Sequence, residues 1–289
     1  KAIFGYGYVS ANSSLTNLVS SSGVVATDTT GVGTARNAPA AASYGGDKAI
    51  FAYGDSGSIT AISNLVNNSG VVASDVTGVG TARRQLAAAG YGEDKAIFGY
   101  GTTGSKSSLT NLVSNSGVVA ADVTGVGTQR YSLAAASYGT DKAIFGYGTS
   151  GINDDISLTN LVANTGVVSA DVTGVGSARR DLAAASYGTD KAIFGYGSNA
   201  TTNLSLTNLV SNTGVVASDV TGVGSARYGL AATGYGGDKA IFGYGYIQAS
   251  TSNVSMTNLV SNSGVVASDV TGVGTARYSL AAAGYSISA

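Results

Sequence analysis

One short segment recurs throughout the chain and sets the limits on its fold. Lys-Ala-Ile-Phe occurs six times, starting at Lys1, Lys48, Lys95, Lys142, Lys191 and Lys239. The start points are separated by 47 to 49 residues, and six such periods fill the 289 residues. A fixed period of this length indicates one supersecondary unit per repeat, each packed against its neighbours.

Each repeat contains four short segments with the composition of strands. In the third repeat they cover residues 95–100, 108–114, 117–124 and 132–138. β-Branched, aromatic or small apolar residues dominate them, and turn sequences rich in Gly, Asn, Ser and Asp separate them. Four antiparallel strands in about 40 to 50 residues are typical of a β-propeller blade. A parallel β-helix would have shorter coils and ranks second.

The order of segments predicts how the ring closes. The chain opens on the second strand of a blade and finishes with Tyr278 to Tyr285, which has the composition of a first strand. We therefore predict one all-β domain, residues 1–289, in which a C-terminal strand completes the first of six four-stranded antiparallel blades and covers exposed edges. The tri-alanine strands should lie innermost, where only small side chains fit. The predicted blades are 1–36 plus 278–289, 37–83, 84–130, 131–179, 180–227 and 228–277.

The repeat also resembles that of a known family. In chain order it has an Arg, a small apolar strand, Lys-Ala-Ile-Phe-Gly-Tyr-Gly, a variable loop, Thr-Asn-Leu-Val, a turn, a Val-rich strand and Thr-Ala-Arg. This order is similar to the kelch propeller repeat, in which an Arg precedes the inner strand and a Gly pair ends the next. The resemblance covers the whole chain and implies a propeller fold. Asp75, Asp122 and their equivalents stand where the family has a Trp.

Composition restricts the function. Charged residues make up 11% of the chain, with 15 Lys and Arg against 16 Asp and Glu. Nucleic-acid binding needs clustered cations, so no nucleic-acid partner is expected. The chain has no His, Cys or Trp, which excludes Ser-His-Asp and Cys-His catalysis, disulfides and metal sites built on imidazole or thiolate. No uncharged apolar run is long enough to span a membrane, so no membrane insertion is expected.

Residues that return once per repeat are interpreted as structural. They comprise the Arg series from Arg36, the Asp series from Asp28, the Asn series from Asn17 and the repeated Lys. Pairing between blades and turn capping would explain one copy in each repeat. Thr-Gly-Val-Gly-Thr, around Gly78 and Gly80, resembles a phosphate loop but lacks a third Gly and a following helix, so it is interpreted as a turn.

Residues that differ between repeats form the candidate site. Loop lengths vary only between the second and third strands, and the residue after each repeated Arg also varies. In an antiparallel meander both sets reach one face, here called the variable face, where Tyr and Arg favour recognition. A ring of alternating aromatic and cationic groups is expected around its mouth. The candidate ligand-binding residues are Tyr8, Asn37, Asp55, Arg84, Lys106, Tyr131, Asp154, Asp155, Arg180, Asp181, Tyr228, Tyr246 and Tyr278.

Neither a metal nor a catalytic site is expected. Asp154 and Asp155 are only two adjacent ligands, and Ca²⁺ takes six to eight oxygens. Glu93 and Asp94 are neighbours in one turn, whereas glycosidases need two facing carboxyl groups.

The sequence therefore favours a non-enzymatic binding or adhesion module, without a cofactor, that presents the variable face to a glycan or protein ligand. An extracellular or virion-associated location fits its low charge and its richness in Gly, Ser, Thr and Asn. A purely structural spacer is the alternative, and a carboxylate-based glycan hydrolase has the least support. The oligomeric state stays open.

Overall fold

Six short antiparallel sheets, one for each sequence repeat, make up the computed structural model, which describes residues 1–286. One short 3-10 helix, Gln248–Ser250, interrupts the sixth repeat. The strands in chain order are β1 Ala2–Gly5, β2 Thr16–Val19, β3 Ala40–Tyr44, β4 Lys48–Ala52, β5 Ser63–Val66, β6 Ala87–Tyr91, β7 Lys95–Gly99, β8 Thr110–Val113, β9 Ala134–Tyr138, β10 Lys142–Gly146, β11 Thr159–Val162, β12 Ala183–Tyr187, β13 Lys191–Gly195, β14 Thr207–Val210, β15 Ala231–Tyr235, β16 Lys239–Ile247, β17 Ser252–Val260 and β18 Ala281–Gly284.

The Lys-Ala-Ile-Phe strand is the middle strand of every sheet. In the second repeat β4 pairs with β3 on one side and with β5 on the other, so that Ile50 faces Ala42 and Leu65. Ala49, Ile50 and Phe51 are fully buried. β-Branched and aromatic residues suit a strand packed on both faces, because their side chains fill the space between sheets.

Each sheet has three strands, which corrects the predicted four. The Val-rich segment of the second repeat joins β5 only through the isolated pairs Val66 with Val72 and Ser63 with Val76. The outer segment has one more residue between these pairs than β5 has, which is the geometry of a β-bulge. The extra residue breaks the ladder, so we call this fourth stretch the outer segment rather than a strand.

The first sheet contains both ends of the described chain. β18 pairs with β1 in antiparallel register, with Ala283 opposite Ile3. The innermost strands contact each other in the cyclic order β3, β6, β9, β12, β15, β18 and back to β3. Their small side chains line an axial cavity of about 230 Å³. This repeated all-β arrangement is consistent with a six-bladed propeller, and the tri-alanine strands lie innermost as predicted.

A buried arginine connects each sheet to the next. Arg36 is fully buried, its Nε donates to the Tyr53 carbonyl at 2.8 Å, and a terminal nitrogen donates to Asn64 Oδ1 at 2.8 Å. Its guanidinium stacks 4.0 Å from the centre of the Tyr6 ring, which packs edge-to-face on Phe51. Arg277 donates the equivalent hydrogen bonds to the Tyr6 carbonyl and to Asn17 Oδ1, and so links the sixth repeat to the first. The interpretation of the repeated Arg as pairing blades is confirmed.

The repeated Asp completes this connection. The Asp75 carboxylate accepts hydrogen bonds from Asn64 Nδ2 at 2.9 Å and from the backbone and hydroxyl of Thr34 in the preceding repeat. A Cβ at Gly33 would lie 2.3 Å from Asp75 Oδ1, so only glycine fits there. Thr-Gly-Val-Gly-Thr is thus a turn that holds a carboxylate of the next repeat. We call each set of Arg, Asp, Asn and Thr, or Ser in the sets of Ser177 and Ser225, an inter-blade clamp.

Candidate functional site

Backbone pairing brings the two variable sets together on one face. Asn37 and Asp55 exchange backbone hydrogen bonds of 2.9 and 3.0 Å, which ties the start of the variable loop to the residue after Arg36. The same pairing joins Arg84 with Thr102, Tyr131 with Thr149, Arg180 with Ser198, Tyr228 with Tyr246, and Tyr278 with Tyr8. The variable loops and the links into the inner strands therefore share the variable face. The turns around Asp47 and Asn68, which hydrogen-bond each other, meet at the opposite end of the blades.

Four candidate tyrosines form one cluster on this face. The ring centre of Tyr278 lies 5.7 Å from that of Tyr8, 5.5 Å from that of Tyr246 and 6.3 Å from that of Tyr228. The ring centres of Tyr228 and Tyr246 are 5.4 Å apart. The cluster arises because two adjacent blades, the sixth and the first, have Tyr at both positions of the backbone pair: Tyr228 with Tyr246, and Tyr278 with Tyr8. All four rings are partly exposed. Such rings offer a large contact area at little cost in rotamer entropy.

Tyr131 lies apart from this tyrosine cluster. In the cyclic order of the inner strands, the links that carry Tyr131 and Tyr278 are three blades apart. Tyr131 pairs instead with the backbone of Thr149. The aromatic groups thus gather on one side of the mouth instead of alternating with cations around it.

The charged candidate residues connect neighbouring blades. Arg84 forms an ion pair of 2.5 Å with Asp55 of the preceding blade, and Arg180 forms one of 3.3 Å with Asp155. Lys106 donates to the Ser150 carbonyl, also across a blade boundary. Asn37 donates to Asn12 Oδ1 at 2.7 Å between the first and second repeats. These four of the six boundaries therefore have contacts of their own, and these cations already have acceptors in the protein. Asp154, which is exposed, hydrogen-bonds to Ser150.

A closed circle of backbone hydrogen bonds surrounds the channel mouth. Six residues, the second after each repeated Arg, each donate their N–H to the carbonyl of the one before, over 2.7 to 3.2 Å. All six have positive φ, between 49° and 62°. This left-handed conformation is unfavourable for residues other than glycine, so the surrounding packing must hold it. The six are Ala38, Gln85, Ser132, Asp181, Gly229 and Ser279.

The side chains of this circle give the mouth its chemistry. Pro39 and five leucines, which follow the circle residues in the chain, line a cavity of about 70 Å³. Gln85 Nε2 donates to Ser132 Oγ at 3.0 Å, and the Ser132 hydroxyl bonds to the Asp181 carboxyl. Burial raises the pKa of Asp181, against the effects of that hydrogen bond and of the Arg180 charge. Asp181 is the one ionisable residue lining this cavity within residues 1–286.

Sequence reasoning selected Asp181 but missed the other five members of the circle. A signal for them was present, because the position differs in almost every repeat while the following residue is usually Leu. Variation at this single position, beside a repeated strand, was the available clue.

Comparison with known proteins assigns no family to this geometry. Neither a protein-family model nor a curated protein sequence matches the chain. Within residues 1–286 no helix is long and apolar enough to cross a membrane. Over the same residues no group of three or more acidic side chains is placed to hold a metal ion.

Proposed function

We propose that the chain is a closed six-bladed propeller of the kelch type that binds a glycan or protein ligand through its variable face. The cluster of Tyr8, Tyr228, Tyr246 and Tyr278 carries this proposal, because four partly exposed rings gather beside the channel mouth. Rings of this kind stack on sugar faces and pack on apolar protein surface. An extracellular or virion-associated adhesion role, without catalysis, belongs to the same proposal.

A purely structural spacer is the second candidate function. The inter-blade pairs of Arg84 with Asp55 and of Arg180 with Asp155 favour it, because they give variable charges a role inside the molecule. A spacer needs no ligand, and its variable residues would serve only to hold neighbouring blades together. The tyrosine cluster argues for binding, because aromatic residues and Arg are enriched where proteins recognise partners.

A glycan array, a binding screen against surface proteins and a panel of glycosidase substrates separate the candidates. Binding without turnover is the expected result. Turnover of a glycoside would support the hydrolase instead, and would call for variants of Asp155 and Asp181. Absence of both binding and turnover would leave the spacer and overturn the proposed binding function.

A further inference from the structure

The backbone circle places Asp181 beside Gly229, the residue on which the Tyr278 ring lies. Gly229 donates its N–H to the Asp181 carbonyl at 2.9 Å, so the two are consecutive members of the circle. A Cβ at Gly229 would lie 3.2 Å from Cδ2 of Tyr278, which shows that the Tyr278 ring lies against this glycine. Tyr228 directly precedes Gly229, and its ring is 6.3 Å from that of Tyr278. One carboxyl and two aromatic rings therefore border the same part of the mouth.

The charge balance at this part of the mouth favours a cation. The Asp181 charge raises the pKa of both Tyr228 and Tyr278, together with burial, which is the largest cause for each. Arg180, whose charge also reaches Asp181, is already paired with Asp155. Ser132 gives Asp181 a neutral hydrogen bond and supplies no charge. Within residues 1–286, the Asp181 carboxylate thus forms no ion pair of its own.

The shape of the site fits an alkylammonium group. The mouth cavity is lined in part by Leu182, Leu230 and Leu280, which offer apolar contact to methylene groups. The faces of tyrosine rings attract an ammonium group, and a partly buried carboxylate binds it by a charge-assisted hydrogen bond. A neutral sugar would stack on the rings but would leave the charge of Asp181 unused.

We infer that the mouth binds a primary ammonium group at the end of an alkyl chain, as a lysine of a protein partner presents it, between Asp181 and the rings of Tyr228 and Tyr278. The inference rests on the proposed binding function and names the chemistry of its ligand. The methylene stem would lie against the leucines and the ammonium would reach the carboxylate.

Titration with n-butylammonium chloride, followed by the amide NMR signals of Gly229 and Ser279, tests the inference. The intact chain should show saturable shifts that n-butanol, the neutral isostere, does not produce. Asp181→Asn keeps the shape and removes the charge, so it should weaken binding about tenfold. Tyr278→Leu should also weaken it. Glu93→Gln, which removes an exposed carboxylate from the opposite face, should leave binding unchanged.

The outcomes separate this inference from the proposed function. Equal shifts with butanol, no shifts with butylammonium, or undiminished binding in a folded Asp181→Asn chain would overturn the inference. If Asp181→Asn does not fold, Tyr278→Leu and the butanol comparison still decide it. If neutral methyl glycosides shift the same signals and bind Asp181→Asn equally well, the binding function stands and the ammonium site is wrong.

Discussion

At the scale of single residues, the repeated arginines carry much of the connection between blades. Arg179 is fully buried, and its three donor groups reach the carbonyls of Tyr196 and Ser177 and Oδ1 of Asn208, over 2.7 to 3.0 Å. Stacking on Tyr147 at 4.3 Å adds a cation–π contact. A buried guanidinium is costly unless most of its donors are hydrogen-bonded, so loss of a partner should destabilise the fold. Nε of Arg83 and of Arg130 is buried without a partner, so the equivalent clamps are less completely satisfied.

Consecutive arginines give a matched test of that conclusion. Arg179→Ala should lower the free energy of unfolding by about 3 kcal/mol or more, because it leaves a cavity and unpaired acceptors. Arg180→Ala removes a partly exposed cation and leaves one carboxyl, that of Asp155, without its ion-pair partner, so it should cost clearly less than Arg179→Ala. Urea unfolding of both variants measures the difference. Equal losses in the free energy of unfolding would show that a clamp arginine stabilises the fold no more than its partly exposed neighbour does.

The six clamp carboxylates predict a loss of stability in acid. Burial opposes ionisation of Asp75, but hydrogen bonds from Thr34 and Asn64 and the charge of Arg36 outweigh it, so its pKa lies below the usual 3.8. The other clamp aspartates shift in the same direction; they are Asp28, Asp122, Asp171, Asp219 and Asp269.

A carboxyl with a lowered folded-state pKa stabilises the fold above its unfolded pKa, and this stability is lost as the pH falls through the folded value. Asp155 and Asp181, whose pKa values burial raises, act in the opposite sense but are two against six. The urea midpoint should therefore decrease steadily from about pH 4 downward. An unchanged midpoint at pH 3 would contradict the assigned hydrogen bonds.

At the scale of elements, the bulged outer segment is where sequence reasoning and structure differ. Alternation and Val content predicted a fourth strand, and the segment does lie beside the third. The sequence pattern does not show the hydrogen-bond partner of Asp75, which is Thr34 of the preceding repeat. Since all repeats are nearly identical, the sequence cannot show whether a residue bonds within its own blade or across to the next. Asp75, the residue that makes this contact, lies within the bulge.

Hydrogen exchange should rank the elements of a blade. Amides of the middle strand β4 are bonded on both sides and buried, so they should exchange slowest. Amides of residues 73–77, in the outer segment, should exchange much faster because only its isolated pairs connect it to β5. NMR-detected exchange measures both, and equal protection would show that the outer segment is a full strand.

The candidate site was predictable only in part, because nearly identical repeats do not show which residues of different blades meet. The meander placed the variable residues on one face, but only the structure shows that Tyr8 meets Tyr278 while Tyr131 lies three blades away. Positive φ at Gln85 and Ser132 had no signal in residue type, because glycine is the residue that normally marks it. The positive φ of the circle was therefore beyond sequence reasoning, although the variability of its positions, the sixfold repeat and the strands were not.

At the scale of the whole molecule, we expect stability to depend on the pairing of the last strand with the first. β18 pairs with β1, and Ser279 completes the hydrogen-bond circle between Gly229 and Ala38. Removing residues 278–289 should open the first sheet and expose a strand edge and apolar surface. The shortened chain should aggregate or lose its cooperative thermal transition in calorimetry. Melting like the parent would contradict closure.

The central proposal is that the variable face binds a ligand, and a comparison of the two faces tests it most directly. Calorimetric titration with the strongest ligand from the screens should show a loss of about 2 kcal/mol or more for the double variant Tyr228→Ala and Tyr278→Ala, with little change in melting temperature. Glu93→Ala and Thr140→Ala, in turns on the opposite face, should bind like the parent. Equal losses from both faces, or loss only from the Glu93 and Thr140 variants, would contradict the account.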